Sequence, residues 1–141
     1  MQLDKILEMW EKDSKIDDVM LDETSIRIPQ LHAKYISLHN EFSLLTKKAE
    51  QELKKIKHKK WLYYSGKAEP KDYEDQPFDH KVMKSDVYNW VSVDDDVCKV
   101  ESKLDYYGSV TSTLNDIIKQ IHQLSFTIGN IIKWRMFCNG V

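Results

Sequence analysis

Five lysines and one histidine lie within seven consecutive positions near the middle of the chain, and three aromatic residues follow within four positions. Lysine ammonium groups neutralise phosphates, and aromatic rings offer faces on which nucleobases stack, so this composition is typical of proteins that bind single strands without reading their sequence. The pattern predicts a single-stranded nucleic acid site. Its candidate residues are Lys54, Lys55, Lys57, His58, Lys59, Lys60, Tyr63, Tyr64 and Lys67, with Trp61 as a third stacking ring.

Charge is segregated along the chain, although the net charge is only −2. Residues 1–23 hold eight acids against three lysines, whereas residues 47–60 hold seven lysines against Glu50 and Glu52. Such a chain can present one anion-binding face without being generally cationic. A second interpretation stays open: cations are favoured near a helix C-terminus, so the lysines can simply stabilise and solubilise a helix end.

Residues that could carry catalysis or bind metal are scattered. The sequence holds no phosphate-binding loop, nucleophile elbow or HExxH zinc helix. His32 and His39 lie seven positions apart, which favours edge or buried histidines over metal ligands. Asp94-Asp95-Asp96 is typical of a helix first turn, because a calcium loop needs alternating ligands and a glycine. We therefore expect no enzyme activity, cofactor or metal.

Two cysteines, Cys98 and Cys138, stand forty positions apart and form no CxxC pair. This usage favours free thiols in a reducing cytosol. There is no run of 18 apolar residues and no signal-like N-terminus, so we expect a soluble protein with no membrane partner.

The scarcity of turn formers, four glycines and three prolines, favours few and long helices. We predict a short helix over 2–13 and a long helix that starts between Asp22 and Pro29 and ends at Gly66. An extended loop should follow over 67–80, then a short helix or strand over 82–91. A capping box over 92–95 predicts a second long helix from about 93 to 138. Gly108 and Gly129 are its weak points, and we expect a break at one of them, with Thr127-Ile128-Gly129 favoured.

Apolar residues recur in steps of three and four along both long helices, which predicts a helical hairpin with coiled-coil-like packing. The first series is Ile28, Leu31, Tyr35, Leu38, Phe42, Leu45 and Ala49. The second begins at Val97 and is rich in isoleucine, which favours more than two associated helices. We therefore expect a homo-oligomer whose interface is formed by Leu114, Ile117, Ile121, Leu124, Ile128 and Ile131.

Four blocks of sequence, in order and over nearly the whole chain, resemble the UvsY family of recombination mediators from T-even-type bacteriophages. They are Leu62-Tyr63-Tyr64-Ser65-Gly66 behind the basic run, the stretch 91–100, Leu104-Asp105-Tyr106-Tyr107-Gly108, and Trp134-Arg135-Met136-Phe137. The resemblance implies an accessory factor in homologous recombination and repair that binds single-stranded DNA and forms a ring of six or seven subunits.

The resemblance also implies two protein partners, a RecA-like recombinase (UvsX) and the single-stranded DNA-binding protein that covers the strand before the recombinase is loaded. It places a DNA-binding Lys-x-Arg pair at His58 and Lys60, oligomerisation in the C-terminal helices, and the protein in the cytoplasm of the infected host. His58 is largely neutral near pH 7, and Lys60 lacks the guanidinium fork, so Lys57 and Lys59 would have to supply the charge.

The sequence thus predicts an all-α fold: a long helical hairpin with a short N-terminal helix, which assembles through its C-terminal helices into a ring. We expect one domain over 1–141. It would comprise an acidic segment and a long helix with a basic end (1–66), a loop and short element (67–92) and oligomerisation helices (93–141). The alternative function is a structural coiled-coil scaffold or assembly adaptor without nucleic-acid binding.

Overall fold

The computed structural model describes residues 2–140, which form five α-helices and no strand. In chain order they are α1 (Leu3–Asp13), α2 (Leu21–Tyr64), α3 (Pro70–Asp75), α4 (Val87–Ser92) and α5 (Asp95–Cys138). The predicted all-α fold with a short N-terminal helix and two long helices is confirmed. None of the helices within residues 2–140 is long and apolar enough to cross a membrane.

The described chain divides into two compact units. The terminal unit holds the residues up to Ser43 and those from Ser109 onward, and the middle unit is Leu44–Gly108. In the middle unit α2 and α5 run antiparallel, because Glu52 pairs with Lys103 while Lys57, five positions later, pairs with Glu101. The two long helices therefore pair as the predicted hairpin.

The core of the terminal unit is made by one apolar face of α1, one of α2 and one of α5. Ile6 of α1 and Tyr35 of α2 are fully buried, as is Leu114 of α5. The other buried apolar residues of this unit are Leu31, Phe42, Val110, Ile117, Ile121, Leu124 and Ile128. Most of the apolar residues that recur in steps of three and four along the two long helices are therefore core residues.

The middle unit has its own, smaller core. Val87 and Val91 of α4 are buried with Val97 of α5, and partly buried side chains pack around them from α2 and from the loop before α4. These surrounding residues are Leu53, Ile56, Trp61, Tyr64 and Val82. The apolar contacts of Trp61 are therefore directed to this core, and Trp61 is not a free stacking ring.

The boundaries of α2 are partly as predicted. Gly66 has a φ of 78° and, with Lys67, turns back onto the last carbonyls of the helix: the Lys67 amide donates to Leu62 O at 2.9 Å. This is the glycine-dependent cap expected at the end of the basic run. The start of α2 lies earlier than predicted, at Leu21, so Pro29 lies inside the helix, where it cannot donate an amide hydrogen bond.

For the rest of the chain, the structure contradicts two predictions and decides one alternative that the sequence leaves open. The predicted loop over 67–80 contains α3, whose Pro70 occupies a first-turn position that tolerates proline. The undecided stretch 82–91 contains most of α4 and no strand. The expected break at Gly129 does not occur, because packing of the neighbouring Ile128 outweighs the weak helix propensity of glycine, and α5 is continuous.

A small polar cluster joins α1 to α2 in the terminal unit. The buried Tyr35 donates a hydrogen bond from its hydroxyl to Asp13 Oδ2 at 2.9 Å, and Lys34 Nζ lies 2.7 Å from the same oxygen. Burial alone would raise the pKa of the Asp13 carboxyl, but the hydrogen bonds from Lys34 and Tyr35 outweigh it and hold this pKa below its ordinary value of 3.8. The Tyr35 ring also packs edge-on against Trp10.

We predict that Tyr35→Phe lowers the free energy of unfolding by about 2 kcal/mol near neutral pH, since it removes a buried hydrogen bond to a charged group. Lys34→Met, which removes a half-exposed ion pair, should cost less than about 1 kcal/mol. The lowered pKa of Asp13 means that its contribution is present above pH 3.8 and is lost as the pH falls through the folded-state pKa. Urea unfolding measured down to pH 3 should therefore show the wild type and Tyr35→Phe converging, and a constant gap would contradict the assignment.

Candidate nucleic-acid interface

Six basic side chains form a continuous stripe on the exposed face of α2 in the middle unit. At 3.6 residues per turn they fall within an arc of about 140° around the helix axis. This lysine stripe consists of Lys47, Lys48, Lys54, Lys55, His58 and Lys59, all exposed. None of the ion pairs found within residues 2–140 involves them, and two acids, Glu50 and Glu52, lie just outside the two edges of the arc. The stripe is therefore free to meet phosphates.

The remaining predicted cations are placed differently. Lys57 is half-buried and lies 3.7 Å from Glu101. Lys60 is only 12% exposed, and its ammonium lies 2.9 Å from Asp96 and 3.5 Å from Asp94. Lys67 is exposed beyond the end of α2, with its ammonium 5.1 Å from the Trp61 ring centre. Of the predicted pair His58 and Lys60, only His58 therefore lies on the lysine stripe.

Lys60 is held by its carboxylate partners. Burial lowers the pKa of its ammonium, but hydrogen bonding to Asp96 and the charge of Asp94 outweigh burial and raise this pKa above its ordinary value. The same hydrogen bond from Lys60 lowers the pKa of Asp96. Both partners therefore stay charged near neutral pH, and Lys60 could neutralise a phosphate only by giving up these contacts.

Asp94 connects the start of α5 to the end of α2. Its Oδ1 accepts hydrogen bonds from the amides of Asp96 and Val97 at 2.9 and 3.2 Å, which makes Asp94 the N-cap of α5. Its Oδ2 accepts a hydrogen bond from the Tyr64 hydroxyl at 2.6 Å. The capping box predicted over 92–95 is thus wrong by two positions, because the serine expected as the cap, Ser92, ends α4 and bonds back to it.

Both tyrosines that were predicted to stack on bases make contacts within the chain. Tyr63 stacks on Tyr73, with ring centres 5.3 Å apart and planes at 17°, and its hydroxyl donates to Gln76 O at 2.7 Å. Burial of Tyr64 raises the pKa of its hydroxyl, and the hydrogen bond to Asp94 raises it further. The Tyr64 ring meets Phe78 edge-on. Tyr63 and Tyr64 thus anchor the segment after α2 to the helix.

Two clefts open around these tyrosines. The first, of about 230 Å³, has mixed charge: Lys59, Lys60, Tyr63, Asp72, Asp75, Gln76 and Asp96 line it. The second, the aromatic cavity, has a volume of about 400 Å³ and is lined mostly by aromatic side chains. Its walls are Tyr63, Tyr64, Gln76, Pro77, Phe78, Asp79, His80, Trp90 and Asp94. Within residues 2–140, charged, polar and aromatic side chains that could contact a ligand therefore line two clefts at the end of α2.

The predicted oligomer-interface residues lie inside the chain itself. Leu114, Ile117, Ile121, Leu124 and Ile128 are buried in the terminal unit of a single copy, and only Ile131 is partly exposed. Large apolar side chains on the later part of α5 are exposed instead. They are Phe126, Ile132, Trp134, Met136 and Phe137.

Residues of this region that sequence reasoning missed fall into two groups. Lys47 and Lys48 belong to the lysine stripe, and the spacing of seven positions to Lys54 and Lys55 would have found them, since it returns to the same helix face. Phe78, His80 and Trp90 join the aromatic cavity from a loop and a short helix. No periodicity marks such residues, because only tertiary contacts bring them together.

The family model described as "Recombination, repair and ssDNA binding protein UvsY" matches residues 9–141 of this sequence. The chain belongs to the UvsY family. The recombination protein uvsY of Enterobacteria phage T4 is 25% identical over 140 residues, which is 99% of each chain. The resemblance carried by the four sequence blocks is thereby confirmed.

Solved structures of a UvsY relative have the same fold. One crystal structure of the bacteriophage T4 recombination mediator protein UvsY (lattice type II) superposes with a TM-score of 0.87 at 26% identity and covers 97% of each chain. A second (lattice type I) gives a TM-score of 0.84 at 25% identity, over 94% of this chain and 98% of that one. The fold of this chain is therefore that of a UvsY protein over 97% of its length.

We predict that Asp94→Ala lowers the free energy of unfolding by about 3 kcal/mol, because it removes both the helix cap and the charged acceptor of Tyr64. Asp94→Ser keeps a capping oxygen and should recover part of that loss. Asp95→Ala, which removes an exposed acid from the same helix turn, is the matched control and should have a much smaller effect. Urea unfolding at one protein concentration measures all three, and equal losses for Asp94→Ala and Asp95→Ala would contradict this role of Asp94.

Proposed function

We propose that this chain is a recombination mediator that binds single-stranded DNA through the lysine stripe. The observation that carries the proposal is the set of six exposed basic side chains, none of them in an ion pair within residues 2–140, on one helix face of a UvsY-family chain. Lysines act as mobile point charges and do not select bases by a fixed geometry, so they suit the phosphates of any sequence. His58 supplies a further hydrogen-bonding group on the same face.

Affinity for the strand would come from several copies acting together. One stripe offers only a few phosphate contacts, but a homo-oligomer presents one stripe per subunit to the same strand, which raises the effective concentration of every site after the first. The exposed apolar side chains on the later part of α5 support self-association, since contiguous exposed apolar surface is typical of interaction sites. A ring of six or seven subunits is the assembly that we propose.

The proposed task is to help a RecA-like phage recombinase (UvsX) load onto DNA that is covered by single-stranded DNA-binding protein. A strand held at many weak phosphate contacts is distorted along its path, which would weaken the resident protein and favour the recombinase. The exposed acids of α1, among them Asp4, Glu8 and Glu11, are a candidate contact surface for one of these protein partners. No catalytic step is assigned to the chain.

We predict that the triple substitution Lys54→Ala, Lys55→Ala and Lys59→Ala weakens binding to single-stranded DNA and lowers the slope of log affinity against log salt by up to about 2. The estimate is about 0.7 for each lost phosphate contact. Lys5→Ala, Lys12→Ala and Lys15→Ala together form the matched control, because these lysines are exposed and lie outside the middle unit. Fluorescence anisotropy titrations at several salt concentrations provide the measurement.

The same titrations separate the two candidate functions. Equal slopes for both triple variants would remove the lysine stripe from the DNA site. Absence of binding by the wild type even at low salt would favour the scaffold or adaptor function. Loading assays with recombinase on strands covered by single-stranded DNA-binding protein then test the mediator role, and the stripe variant should lose stimulation that the control variant keeps.

We predict that Trp134→Ser with Phe137→Ser yields smaller species in sedimentation velocity experiments, because both side chains are exposed in the single chain and would be covered in the oligomer. Leu44→Ser is the control: Leu44 is equally apolar and 67% exposed, but it lies on α2 in the middle unit. Ile121→Ser should instead lower stability, since Ile121 is a core residue of the single chain. An unchanged sedimentation coefficient for the double variant would place the interface elsewhere.

A further inference from the structure

The aromatic cavity offers ring surface that the fold itself does not use. The Trp90 ring centre lies 5.3 Å from that of Phe78 and 5.4 Å from that of His80, and Trp90 keeps 36% of its surface exposed. A volume of about 400 Å³ is within the range of ligand-binding clefts, roughly 300 to 1,000 Å³. The cavity is thus large enough to receive a planar ring.

The rings of this cavity differ in how far they are already engaged. Tyr63 and Tyr64 are fixed by hydrogen bonds to Gln76 and Asp94. The side chains of Trp90 and His80 take part in no hydrogen bond or ion pair within residues 2–140, and His80 is exposed. Trp90 packs against the rings of Tyr64, Phe78 and His80 at centre distances of 5.9, 5.3 and 5.4 Å, but the exposed part of its ring and its N–H group remain available to a ligand.

The aromatic cavity shares two lining residues with the cleft that contains the last cation of the lysine stripe. Lys59 is the last cation of the stripe, and it lines the neighbouring cleft together with Tyr63 and Gln76. Tyr63 and Gln76 also line the aromatic cavity. A strand whose phosphates lie on the stripe and reach Lys59 therefore arrives at the mouth of the cavity.

Charge decides which part of such a strand can enter. Asp79 and Asp94 line the aromatic cavity, and the cleft beside it contains Asp72, Asp75 and Asp96. These carboxylates repel phosphates, so the sugar-phosphate backbone is favoured along the stripe and disfavoured inside the cavity. A neutral and planar nucleobase has no such penalty, and it gains stacking with an aromatic ring.

We propose that the aromatic cavity binds one unstacked nucleobase of the strand that lies on the lysine stripe, with Trp90 as the ring on which the base stacks. His80 and Phe78 flank the base. The inference rests on the proposed function, because the strand must first be held by its phosphates. It adds a base-binding site on α4 and the preceding loop to the phosphate site on α2.

The test compares a short oligothymidylate with an abasic strand of equal length, which carries the same phosphates but no bases. Trp90→Leu should weaken binding of the oligothymidylate by roughly 5-fold to 100-fold, in keeping with the effect of losing one base-stacking ring. Its affinity for the abasic strand should equal that of the wild type. Trp90→Phe keeps an aromatic face and should retain most of the affinity.

Tyr88→Leu is the matched control, since Tyr88 lies on the same helix, is 64% exposed and does not line the cavity. It should bind both strands as the wild type does. Equal losses on both strands for Trp90→Leu, or no loss on either, would overturn the base-binding site while leaving the phosphate site intact. Failure of the wild type to bind either strand would refute the proposed function itself.

Photo-crosslinking of the unmodified protein gives a readout that does not depend on how the variants fold. A strand carrying 5-iodouracil reacts on irradiation with an aromatic ring close to the base. We expect the crosslinked peptide to contain Trp90, His80 or Phe78. Crosslinks found only at aromatic residues outside the cavity, such as Tyr88 or Tyr106, would overturn the proposal.

Discussion

One buried carboxylate, that of Asp94, determines how the middle unit is assembled. An aspartate with one oxygen on the first amides of α5 and the other on the Tyr64 hydroxyl ties the beginning of one long helix to the end of the other. Lys60 adds its ammonium to the same site. Because an acceptor of this kind is costly to bury without donors, each of these contacts supports the others. The hairpin therefore has a defined closed end.

This assembly divides the basic run into two kinds of cation. Lys57 and Lys60 face carboxylates of α5, so their charge is used to hold the two helices together. Lys54, Lys55 and Lys59 face outward, and their charge remains available to a phosphate chain. Successive residues of a helix point in directions about 100° apart, so a run with a lysine at nearly every position directs some lysines toward α5 and others toward solvent.

The aromatic residues divide in a similar way. Tyr63 and Tyr64, adjacent in sequence to the lysines, are structural: they fasten α3 and the following loop to the end of α2. The ring that keeps exposed surface in the aromatic cavity, Trp90, comes from a different helix, α4, and lies outside the basic run. The fold thus places a ring-lined cavity with acidic residues in its wall near the end of a cationic stripe, so that bases are favoured in the cavity and phosphates on the stripe.

The amino-acid sequence by itself determined the helical fold, the hairpin, the glycine cap that follows α2 at Gly66 and the family. These features depend on local pattern: apolar spacing of three and four, a glycine cap and ordered motif blocks. The tertiary structure alone decided which lysines form ion pairs, which aromatic rings are engaged, and that Leu114 and Ile121 are buried in the core of a single chain. Periodicity marks a face as apolar or charged, but it does not say what will cover that face. The covering partners, such as Asp94 for Lys60, lie more than thirty residues away in sequence, and only packing brings them into contact.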